Sequence, residues 1–76
     1  MELIDVVKKL YWNTEYKVRE VWYCKTLQNK KGLYALFDGK KPVGIYVEAT
    51  YNGDKKETYV DIYKKSDNIK IEGEVE

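Results

Sequence analysis

Apolar residues at Leu3, Val6, Val7 and Leu10 recur at i, i+3, i+4 and i+7, the spacing of one face of an amphipathic helix. Glu2 and Asp5 stand where the first turn would be and Lys8 and Lys9 where the last would be, the signs the helix dipole favours. The pattern predicts a helix over about residues 2–11, ended by Asn13 and Thr14. From residue 16 the period drops to two, the alternation of a half-buried strand. It predicts strands at 16–27, 33–37, 43–51, 57–65 and 69–75, with turns at 28–32, 38–42, 52–56 and 66–68. Asn52–Gly53 is a strong hairpin signal, and Pro42 is barred from a central ladder position. No connection leaves room for a crossover helix, so the strands should form an antiparallel meander. The expected fold is α+β: one N-terminal helix packed on a five-stranded antiparallel meander, or the same strands curled into a small partly open barrel. A chain of 76 residues makes a single domain, 1–76.

Parity assigns the faces. Val43, Ile45, Val47 and Ala49 share one side of the third strand, Val60 and Ile62 of the fourth, and Ile69, Ile71 and Val75 of the fifth. Leu33, Ala35 and Phe37 fit that side in the second strand. Val18, Trp22 and Cys24 fit it in the first, with Glu20 as an exception. These residues are the expected core, covered by the helix stripe, so Leu10 and Cys24 should both be buried. The opposite parity carries Tyr23, Tyr34, Tyr46, Tyr59 and Tyr63, interleaved with Arg19, Lys25, Glu48 and Asp61. Cross-strand tyrosines stabilise a sheet by packing on one another. Tyrosine also supplies large, rigid contact area with a polar tip, and interfaces are enriched in it.

Composition narrows the chemistry. Histidine is absent, which removes the commonest general base and the commonest metal ligand together. One cysteine excludes an intramolecular disulfide, so the chain is not a stapled secreted mini-protein. Cys24 lacks the base a nucleophile needs. The carboxylates of 72–76 and at Glu48 and Asp61 have no room for a cleft on so small a sheet. The segment 52–57 lacks the alternating ligands of a calcium loop. The expectation is no enzyme, no cofactor and no metal. No run approaches the 18–20 or so apolar residues of a membrane span, and the first residues do not read as a signal peptide, so the expected location is cytoplasmic, of a cell or of an infected host. Abundant lysine, glutamate and tyrosine suit a thermophile or an AT-rich genome alike.

The net charge is +1, but residues 30–41 balance at +3, from four lysines against Asp38, and residues 42–76 at −3, from five lysines against eight acids. The expected role is a small binding protein, an inhibitor or adaptor, virus- or mobile-element-encoded by its size and plainness. It would dock on another protein through Arg19, Tyr23, Tyr34, Tyr46, Tyr59 and Tyr63. Two alternatives stand beside it. One is a small barrel that binds nucleic acid by stacking bases on tyrosines between the lysine pairs Lys30–Lys31 and Lys40–Lys41, against which the acidic half counts. The other is a homodimer whose tyrosine faces meet.

Overall fold

A computed structural model describes residues 2–65. Helix α1 (Leu3–Leu10) is followed by strands β1 (Lys17–Lys25), β2 (Asn29–Asp38), β3 (Lys41–Asn52) and β4 (Glu57–Lys64). The strands form one antiparallel sheet in the order β1-β2-β3-β4. The described sheet is open, with β1 and β4 as its edges, so it is not closed into a barrel. The described residues thus hold four strands against the five expected. The fifth, expected at 69–75 with Ile69, Ile71 and Val75, lies outside the described residues.

Two turns are tighter than expected: 29–32, expected in the first, are the start of β2, and of 38–42 only Gly39 and Lys40 lie between β2 and β3, with Pro42 paired to Phe37. Thr14 closes the chain after the helix: its Oγ1 donates to the Tyr11 carbonyl at 2.7 Å and accepts from the Tyr16 amide at 3.2 Å. Thr26 and Asn29 bond reciprocally across the first hairpin. Asn52 Oδ1 accepts from the Asp54 and Lys55 amides at 3.0 and 3.3 Å, which turns the chain at the Asn-Gly step. Gly53 backs onto the Gln28 carbonyl so closely that a Cβ would overlap it, and its amide donates to Asn29 Oδ1 at 3.1 Å. The first and third hairpin loops are thereby locked together.

The core lies between α1 and the sheet. Leu3, Val7, Tyr34, Val47 and Ala49 are buried in it, flanked by Ile4, Tyr11, Val18, Tyr23, Ile45, Tyr51 and Val60. The buried helix face therefore runs through Leu3, Ile4, Val7 and Tyr11. Leu10, expected inside, is 52% exposed. The i, i+4, i+8 row has taken the contact in place of the i+7 position.

Two further expectations are corrected here. Tyr34 is fully buried and Tyr23 packs beside it against the core, whereas parity had put both on the outer face. Conversely Trp22, Cys24 and Leu33 face away from the helix. Cross-strand register carries the proof: Tyr34 pairs with Val47 and Tyr23 with Gly32, while Leu33 pairs with Trp22 on one side and Glu48 on the other. Residues paired directly across strands share a face.

The cause in β1 is a bulge. Glu20 pairs with Tyr34 and Trp22 with Leu33, so Val21 is an extra residue. Such an insertion puts the alternation on its two sides out of phase. Val18 and Tyr23, of opposite parity, therefore share the helix side. In β2 both parities are apolar, and Gly32 breaks the tie. A Cβ at Gly32 would lie within 2.8 Å of the Tyr34 ring, so the ring occupies the space that Gly32 leaves open on the same face.

Packing generates two predictions. Leu3→Ala should lower stability by about 2–5 kcal/mol, and Leu10→Ala by no more than about 0.5 kcal/mol, read as melting curves of the two variants. The buried Tyr34 hydroxyl has no hydrogen-bond partner among the described residues. Its pKa is pushed up to about 12 by burial, then by the nearby Glu20, Tyr23 and Glu2. An unfolded tyrosine ionises near pH 10, so the native chain holds this proton when the unfolded chain loses it. The contribution is whole below about pH 10 and is lost as pH rises towards 12. Tyr34→Phe removes an unsatisfied donor, so it should be neutral or stabilising at pH 7 and should make alkaline unfolding less steep. A large loss of stability at neutral pH would show that the hydroxyl is satisfied.

Candidate docking face

The sheet face away from the helix is built as rows that run across all four strands. One row is Arg19, Ala35, Tyr46 and Tyr63; the next is Trp22, Leu33, Glu48 and Asp61; the third is Cys24, Lys31, Thr50 and Tyr59. Helix α1 covers only the other side. Trp22, Tyr46, Tyr59 and Tyr63 accordingly stay between 38% and 52% exposed. Single exposed rings are common on proteins, but four on one sheet face, with Tyr46 and Tyr63 paired directly across strands, make this face a candidate contact surface.

Of the six residues singled out in the sequence, the structure brings four together here: Arg19, Tyr46, Tyr59 and Tyr63. Tyr23 and Tyr34 belong to the core and leave the site. Trp22, Leu33 and Phe37, assigned to the core by alternation, join it. The Arg19 guanidinium lies over the Phe37 ring, 4.6 Å from its centre, a cation–π contact that holds the arginine flat against the sheet. The signal that could have found this exchange is Gly32, two residues before Tyr34, because a glycine in a strand invites a neighbouring aromatic ring. The Val21 bulge left no comparable sign.

The charges on this face are segregated. Lys17, Arg19 and Lys31 lie on β1 and β2, whereas Glu48, Glu57 and Asp61 lie on β3 and β4. Lys31 Nζ reaches Glu48 Oε1 at 3.6 Å across the boundary, a half-exposed pair of small energetic weight. Glu48 and Asp61 stand directly opposite each other, an unfavourable like-charge pairing. The Tyr59 hydroxyl donates to Glu57, and that bond raises the phenol pKa above its ordinary value. Towards the first hairpin a shallow depression of about 480 Å³ opens beside Trp22, Cys24, Lys31 and Thr50.

No basic aromatic strip of the kind expected for nucleic acid is assembled. Lys30 pairs with Tyr51 on the helix side, Lys31 is engaged by Glu48, and Lys40 and Lys41 lie at the far end of the sheet. Among the described residues no group of three or more acidic or cysteine side chains is placed to hold a metal ion. No helix among them is long and apolar enough to cross a membrane.

Residues 2–73 match the model of a family of unknown function, DUF6275. The chain belongs to that family. No curated protein and no solved structure matches it.

Cys24 tests the orientation of β1. It is exposed on the open face, against the burial expected from alternation. A thiol reagent should label it promptly in the folded protein, at a rate close to that in denaturant. Strong protection in dilute native protein, where no second copy covers the face, would mean that Trp22 and Cys24 point to the core after all.

Proposed function

We propose that this member of a family of unknown function is a small non-enzymatic binding protein, an inhibitor or adaptor, that docks on protein through its open sheet face. The observation that carries this reading is the exposure of Trp22, Tyr46, Tyr59 and Tyr63 on one sheet face that no described element covers. Tryptophan and tyrosine are the residues that most often dominate binding energy, and arginine accompanies them. Arg19, held over Phe37, completes that set. The absence of histidine from the chain favours contact over catalysis. Glu48, Glu57 and Asp61 on the same face favour a protein over a polyanion, because nucleic-acid affinity rests on neutralising phosphates with cations.

Capture from a lysate of the source cell tests this. The triple variant Trp22→Ser, Tyr46→Ser, Tyr63→Ser should lose proteins that the unaltered chain retains. Trp12→Ser should lose none: Trp12 is 79% exposed but follows the helix, off the open face. Melting curves hold folding constant across the set. Equal capture by a folded triple variant would move the site elsewhere.

A further inference from the structure

We propose that the occupant of the open face is a second copy of this chain, bound face to face about a two-fold axis that runs along the strands. The proposal rests on the reading of that face as a protein contact surface and names its partner. A two-fold interface uses one patch twice, so the patch must be complementary to itself. The open face meets that condition through its charges. Its basic half, Lys17, Arg19 and Lys31 on β1 and β2, stands beside an acidic half, Glu48, Glu57 and Asp61 on β3 and β4, with Lys65, next to Gly44 just past the end of β4, as a cation at the margin of the acidic side. Among the described residues the one salt bridge joins Lys31 to Glu48. Asp61, set directly against Glu48, has no cation within that range among the described residues.

The charge pattern selects the axis. A two-fold axis across the strands would lay β1 on β1 and β4 on β4, setting like charges together. An axis along the strands, between β2 and β3, lays β1 over the second copy's β4 and β2 over its β3. Each row then meets the same row in reverse order. Arg19 comes over Tyr63 of the second copy, next to Asp61 in the adjoining row. Tyr46 comes over the second copy's Ala35, the smallest side chain of its row. Trp22 enters between the second copy's Tyr59 and Tyr63. Aligned packing of two sheets, about 10 Å apart, is an ordinary way for sheets to associate.

The size of the face sets the strength. Four strands spaced about 4.8 Å apart, paired over about eight residues, give about 500 Å² of planar face on each copy. The two together reach only the lower limit of a specific interface, about 1,000 Å². The dimer is therefore weak and concentration-dependent, and its contact remains open to displacement by another protein.

Sedimentation velocity over a dilution series tests the proposal on the full chain, with circular dichroism and melting curves to confirm folding. The unaltered protein should pass from monomer to dimer as concentration rises. Arg19→Glu and Asp61→Arg should each weaken the dimer by about tenfold or more, because the contact occurs twice and each change sets like charges together. The double variant Arg19→Glu, Asp61→Arg should return to within a few-fold of the original affinity, a rescue that a purely structural role would not produce. Trp22→Ala should weaken the dimer without affecting that rescue. A protein that stays monomeric throughout overturns the proposal, as does a dimer indifferent to all three changes. Monomeric behaviour combined with capture that depends on Trp22, Tyr46 and Tyr63 would leave the face as a surface for a different protein. Monomeric behaviour with capture indifferent to those residues would overturn both readings.

Discussion

The Tyr34 ring lies over Gly32 beneath the helix, and the rest of the fold follows from that contact. The ring is large and fully buried among Leu3, Val7, Val47 and Ala49. It can lie there only because residue 32 has no side chain to hold it off. Once Tyr34 faces inward, pairing carries Val47 and Ala49 inward on β3 and Val60 on β4. It also carries Leu33 outward, together with Trp22, Glu48 and Asp61. A single ring seated in a glycine gap thus sets the phase of three strands. The cost is a hydroxyl buried without a partner among the described residues, a penalty the packing around it must outweigh.

The first strand reaches the same phase by a different route. Its bulge at Val21 lets Val18 and Tyr23 both serve the core, while Arg19, Trp22 and Cys24 all serve the outer face. Without the extra residue, either Val18 or Tyr23 would have to leave the helix side. Bulges tend to occur on edge strands and to re-aim side chains. Here the re-aimed side chain is a tryptophan on a face that no described element covers.

A small domain with a helix on one face of its sheet leaves the other face to water or to a partner. This chain places aromatics there and sorts its charges into a basic half and an acidic half. Aromatic area supplies affinity, whereas charge placement chiefly supplies orientation and discrimination. The separated charges give the face a direction. That direction is what distinguishes a particular mode of contact from non-specific adhesion of rings.

The element order of the described residues, the antiparallel meander, the Asn52–Gly53 turn and the inward side of β3 and β4 were legible in the sequence; the turns at 28–32 and 38–42 were drawn too long, because Lys30, Lys31 and Pro42 do not look like strand residues. Each legible feature rests on local periodicity or local side-chain chemistry: Asn52 turns its own chain, and the alternation of Ile45, Val47 and Ala49 has polar neighbours to contrast with. The outward position of Arg19, Tyr46, Tyr59 and Tyr63 was legible for the same reason. The exchange of Tyr23 and Tyr34 for Trp22, Leu33 and Phe37 was not. In β1 and β2 both parities are apolar over the decisive stretch, so alternation carries no preference there. The choice depends on which residue stands across the ladder and on whether a ring finds a gap to fill. Likewise the helix offered Val6 and Leu10 as well as Ile4 and Tyr11. Only its angle on the sheet selected Leu3, Val7 and Tyr11 for the core and left Leu10 in solvent. Register, bulge and crossing angle are relations between segments distant in the chain, and only the tertiary structure decides them.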